Sequence, residues 1–186
     1  MKLLLAAICA AAMIGSAASA ATISFSATPT AATANPLGTV ISGTFNQNVT
    51  EPGLITGVRR SPWEGTPLDG SVYSSITGTA EYVFSSARTK LSLVWGSPDS
   101  YNTLHFLNGT TVLGSVTGSQ ITGGALNRLV TISGFGPFTK VQFVSGLPAF
   151  EYANVAAVPV PAAGFMLLAG LAGLAALRRR QSAIAA

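Results

Sequence analysis

The sequence predicts an all-β protein: a jelly-roll-like β-sandwich ectodomain between an N-terminal signal peptide and a C-terminal transmembrane helix. Three observations predict it. Residues 21–157 hold no helical period, and their Val, Ile, Thr, Phe and Tyr gather in short runs separated by Gly, Pro, Asn and Ser. The chain is 48% hydrophobic and only 9% charged over 186 residues, where a soluble domain carries about 25% charged residues. Its net charge of +4 belongs wholly to the ends. Inside 21–157, Arg59, Arg60, Arg88, Lys90, Arg128 and Lys140 balance Glu51, Glu64, Asp69, Glu81, Asp99 and Glu151. Lys2 and the arginines at 178–180 make the excess. A neutral body without a basic stripe excludes nucleic acid as a partner, and a chain this apolar and charge-poor is not disordered.

Residues 1–20 read as a secretory signal peptide. Lys2 supplies the positive start, residues 3–14 an apolar stretch too short to span a bilayer, and Ala18-Ser19-Ala20 the small-residue cleavage site. Signal peptidase is therefore an expected partner, cutting after Ala20. Cys9, the single cysteine, lies within this segment beside bulky Ile8, which argues against lipidation. The mature chain then has no cysteine, which excludes disulfides, thiol catalysis and Cys-ligated metals.

One domain follows at 21–157. Strands are expected at 22–27, 39–45, 53–58, 75–84, 89–95, 103–107, 111–117, 128–133, 139–144 and 150–156, with an Ala/Thr/Pro-rich loop over 28–36. Alternation puts Leu91, Leu93 and Trp95 on one face, and pairs Val141 with Phe143 and Phe150 with Tyr152. The segment from Trp95 to Thr103 leaves a strand through a turn. Pro98 suits its first central position, and Asp99 and Asn102 can bond nearby backbone amides.

The C-terminal part, 158–180, has three features in order. Val158, Pro159, Val160, Pro161 and Ala162 come first, then an apolar helix at 162–177, then Arg178, Arg179 and Arg180; residues 181–186 form a cytoplasmic tail. The prolines set the helix start. Its length is about 24 Å, slightly short of a hydrocarbon core of about 30 Å, and long arginines make up the difference by snorkelling. The arginines act as a stop-transfer signal and put the body outside.

This order resembles the PEP-CTERM class of bacterial sorting signals, specifically its VPLPA-CTERM variant, with Val160 where that variant usually has leucine. The resemblance implies recognition of Val158 to Ala162 by an integral-membrane exosortase-type sorting enzyme. It also implies a temporary membrane anchor and release to the surface of a Gram-negative envelope. A second resemblance lies in the body, over about residues 60–157. Trp95-Gly96-Ser97-Pro98-Asp99-Ser100-Tyr101-Asn102-Thr103, then Phe106-Leu107-Asn108-Gly109, then Ala149 to Val155 are similar to motifs of one family of exosortase-dependent surface proteins. It implies a surface β-sandwich and assigns it no activity.

Chemistry is sparse. His105 is the only histidine, no Gly-x-Ser-x-Gly elbow surrounds any serine, and the acids are scattered singly. No catalytic residue, cofactor or metal is expected, although Glu151 with Asn154, or Asp99 with Asn102, has the oxygen chemistry of a calcium site. Trp63, in the loop Ser61-Pro62-Trp63-Glu64-Gly65, and Tyr101 are candidate glycan contacts; for Trp63 the alternative is to cover the end of the sandwich. Two sequons, at Asn48 and Asn108, read as turn residues. The expectation is a non-enzymatic surface or extracellular-matrix protein, structural or adhesive. A carbohydrate-binding module that contacts extracellular polysaccharide is the first alternative and a secreted hydrolase the second.

Overall fold

The computed structural model describes residues 21–121, 127–159 and 170. The expected signal peptide, with Ala18 and Ala20, lies outside the described residues, as do Val160, Pro161, Ala162 and the arginines at 178–180. So does the expected membrane helix, Gly170 excepted. Among the described residues no helix is long and apolar enough to cross a membrane.

The body is nearly all β. Its strands are β1 (Thr22–Ser26), β2 (Thr39–Val49), β3 (Leu54–Ile55), β4 (Arg59–Arg60), β5 (Tyr73–Trp95), β6 (Asn102–Asn108), β7 (Thr111–Thr117) and β8 (Leu129–Pro159). A short 3-10 turn at Gly118–Gln120 follows β7. The main sheet runs β2-β5-β8-β6-β7, β1 pairs with β8, and β3 and β4 form a separate small hairpin.

β5 and β8 organise everything else. Along each ladder between them, partner numbers fall as β5 numbers rise, which is the sense of antiparallel pairing. Residues 78–83 of β5 lie against 140–145 of β8, whose other edge takes β6. Residues 90–94 of β5 instead lie between 129–133 and 153–158 of β8. Both strands therefore bend and pass from one layer of pairing to another, an arrangement consistent with a β-sandwich.

This corrects the expected strand boundaries. The strands expected at 75–84 and 89–95 are one strand, because Ser85, Ser86, Ala87 and Arg88 include no glycine or proline to break the extended backbone. The three expected between 128 and 156 are one as well. Gly134 and Gly136 take positive φ (103° and 77°) there, and the chain bends without leaving the strand. The strand expected at 53–58 shrinks to the β3–β4 hairpin, turned at Gly57.

The alternating residues meet in one core. Leu91, Leu93 and Trp95 are buried with Ile76, Tyr82, Leu104, Phe106, Val141, Phe143, Phe150 and Tyr152. Trp95 stacks on Phe150 with ring centroids 4.4 Å apart. A smaller cluster lies apart from it: Trp63, Tyr73, Val94 and Ala153, under the loop that joins β4 to β5. Val94 is the odd member of the Leu91-Leu93-Trp95 alternation, so this loop covers the face of the sheet that the alternation left outside.

Candidate functional site

The segment that leaves β5 is held to the last part of β8. The Gly96 N–H donates to the Glu151 carbonyl at 2.8 Å. Asn102 is fully buried. Its Nδ2 donates to the carbonyls of Ser97 (2.8 Å) and Ala149 (3.4 Å), while its Oδ1 accepts from Ser145 Oγ at 2.7 Å. The two sequence motifs around Trp95 and Phe150 are thus joined side by side. Asn102 bonds carbonyls rather than the amides expected for it.

Asp99 sits on the outer turn of this segment. Its Oδ2 accepts from the Tyr101 hydroxyl at 2.8 Å, and that hydroxyl also lies 3.3 Å from the Pro148 carbonyl. Burial, and then the bond to Asp99, push the Tyr101 hydroxyl up to about 12. Asp99 therefore bonds its neighbour's phenol, not a backbone amide.

Glu151 lies opposite Ser75 on β8 and is only 2% exposed. Its Oε1 accepts from the Arg60 N–H at 2.7 Å. Its Oε2 has no hydrogen-bond partner among the described residues. Burial pushes the carboxyl up to about 7, against the pull of the backbone amides; the Asp99 charge raises it further and Arg60 opposes the rise. Arg59 pairs with Glu51, and Arg60 with Glu64 four residues on. Arg59, Arg60, Asp99, Tyr101, Pro148 and Glu151 line a cleft of about 230 Å³.

The two candidate glycan contacts part company. Trp63 does not fit that role: its side chain is 0% exposed, packs on Tyr73, Val94 and Ala153, and donates Nε1–H to the Val72 carbonyl at 3.1 Å. The indole that had no obvious core to enter finds one on the outer face of the sheet. Tyr101 stands at the cleft, half-buried, with its hydroxyl engaged.

The oxygen ligands weighed in the sequence also regroup. Asn154 accepts from the Thr33 N–H at 2.7 Å and donates to the Ala31 carbonyl at 2.9 Å, tying down the early loop. Asn102 is spent inside the turn. The acids that share a cleft are Asp99 and Glu151, a pairing that their separation of 52 positions in sequence conceals. Among the described residues no group of three His, Cys, Asp or Glu could hold a metal.

His105 lies half-buried on β6, between buried Leu104 and Phe106, with Ser115 and Gln142 as its cross-strand neighbours. Asn48 is engaged with Asn35, whereas Asn108 is exposed. Val158 is 46% exposed at the end of β8, where Val158 pairs with Lys90 and Pro159 with Arg88.

Sequence reasoning named Glu151 only beside Asn154 and missed its meeting with Arg60 and Asp99. Glu151 alternates with buried Phe150 and Tyr152, so a solvated position is expected; β4, through the Arg60 N–H, and the Gly96 turn close over it instead. No protein-family model, no curated protein and no solved structure matches this chain.

Proposed function

We propose that the chain is an exported, non-enzymatic surface or matrix protein with a structural or adhesive role, anchored transiently and sorted by an exosortase-type enzyme. One observation carries this reading: the paired prolines, the apolar stretch and the arginine cluster occur in that order over 158–180. Each has a separate physical task, and a buried core helix explains neither the three arginines nor the preceding prolines. The signal-peptide pattern at the other end is the matching export feature.

The body supports the reading through its geometry. β8 runs to Pro159, so the first two residues of a sorting motif at 158–162 form the end of the last strand, paired with Lys90 and Arg88. We further read the bent two-layer pairing as a β-sandwich of jelly-roll type. The carbohydrate-binding alternative keeps Tyr101 as a contact and loses Trp63.

The test is the double substitution Pro159→Ala with Pro161→Ala, together with mass spectrometry of the mature C-terminus. The wild type should end near 158–162, and the double variant should stay full-length in the membrane. Unchanged surface release of the variant, or a mature chain that keeps Arg178–Arg180, would overturn the proposal.

A further inference from the structure

β8 ends where the body meets the proposed anchor. Val158 and Pro159 close the strand beside Lys90 and Arg88, and the apolar helix expected from the sequence begins at residue 162. Three residues reach at most about 11 Å, while the headgroup layer on each side of a bilayer is about 5–8 Å thick. An anchor at 162–177 therefore holds the end of β8 at the level of the headgroups.

The surface around that strand end is apolar and cationic. A cleft of about 440 Å³ lies beside it, and its lining includes Leu37, Val83, Arg88 and Ala157. Leu37 is 89% exposed, Val83 66% and Val158 46%. Two cations stand in the same place: Arg88, its guanidinium carbon 5.4 Å from the centre of the Phe84 ring, and exposed Lys90. Among the described residues neither takes part in an ion pair, and no acid lines the cleft. Glu81, the one acid of β5, is paired with Lys140.

We propose that this end of the body docks on the anionic membrane that holds the anchor. Leu37, Val83 and Val158 enter the boundary between headgroups and acyl chains, and Arg88 and Lys90 meet the lipid phosphates. Exposed aliphatic side chains gain by leaving water. Long cationic side chains lay their stems in the apolar layer and keep their charges at its edge, where anionic headgroups attract them. A second copy of this chain is a poorer occupant, because a twofold contact through the cleft sets like charges of Arg88 and Lys90 against each other. The docking would fix how the body stands over the segment that the sorting enzyme is proposed to recognise. The inference rests on the reading of 158–180 as a membrane anchor.

The test is spin labelling of the full chain in phosphatidylcholine vesicles with and without phosphatidylglycerol. In a Cys9→Ser background, single labels at Leu37→Cys and Val83→Cys read the docking face; both side chains are exposed, so the core is untouched. A label at Leu147→Cys reads the far end of the body. That residue is 56% exposed and follows Ser145, which pairs with Gly78 at the opposite end of the ladder from Val83 and Lys140. A label at Leu168→Cys reads the anchor itself. Labels at 37 and 83 should collide more with oxygen than with a water-soluble nickel chelate, and the label at 147 the reverse. Arg88→Gln with Lys90→Gln should weaken this lipid contact in anionic vesicles by about fivefold per charge. If the label at 168 lies in lipid while those at 37 and 83 lie in water, the docking is overturned and the anchor stands. If the label at 168 lies in water, the anchor reading fails and the docking falls with it. Lipid contact that ignores both phosphatidylglycerol and the double substitution would also overturn the proposal. So would spin–spin broadening between labels at 37, the mark of a second copy.

Discussion

Gly118 packs directly on the Asp99 carbonyl: a β-carbon at Gly118 would stand 2.1 Å from that oxygen and 2.6 Å from the Pro98 carbonyl carbon. The 3-10 turn after β7 thereby buttresses the turn that carries Asp99. Close approach, not φ, demands glycine here. Gly118→Ala must push the two turns apart and should destabilise the protein by about 1–3 kcal/mol. Gly146→Ala, where the added carbon meets nothing, should stay within about 0.5 kcal/mol. Urea midpoints of the two variants check this; equal midpoints would refute the buttress.

Asn102 is expected to act as a staple. Removing its side chain takes one donor from the Ser97 carbonyl, which keeps the Asp99 N–H, and one from the Ala149 carbonyl, and leaves Ser145 Oγ without its Asn102 acceptor. Asn102→Ala should cost about 2 kcal/mol and speed amide exchange at Gly96, whose N–H closes the same junction. Exchange unchanged at Gly96 would show that the junction holds without it.

Trp63 should matter for stability. Trp63→Ala empties the second cluster and should cost about 3–5 kcal/mol, whereas Trp63→Phe loses mainly the bond to the Val72 carbonyl and about 1 kcal/mol. Denaturant unfolding measures both. A Trp63→Ala protein as stable as wild type would contradict a buried indole.

Glu151 should make stability fall as pH rises. Its carboxyl is raised in the folded chain from 4.5 to about 7, so the folded state binds the proton more tightly than the unfolded one. That stabilisation is fully present below about pH 4.5 and is lost progressively up to about pH 7, a change of about 3 kcal/mol in divalent-free buffer. Glu151→Gln should flatten the profile across this window. Unfolding free energies at a series of pH values give the answer; a wild-type profile that rises over the same window would count against the buried, uncompensated carboxyl.

The strand content was legible because alternation reports which face is dry. Leu91, Leu93, Trp95, Val141, Phe143, Phe150 and Tyr152 all enter the core their spacing indicates. Strand ends were less legible. Glycine marks where a chain can turn, and at Gly134 and Gly136 it bends within β8. The candidate site was the least legible, for one shared reason. Alternation assumes that the second face of a strand meets water, but the β4–β5 loop covers that face with Trp63 over Val94 and β4 places Arg60 on Glu151.

Local and nearest-neighbour physics was enough for the sequence by itself to determine the β architecture of the body, its alternating core and its neutral charge. These properties need only side-chain size, periodicity and the sign of each charge. Only the tertiary structure decided that Asp99 and Glu151 share a cleft, that Trp63 is core, and that Asn102 is a staple. Those depend on contacts between residues tens of positions apart, whose pairing is set by how β5 and β8 bend and by which loop folds over them.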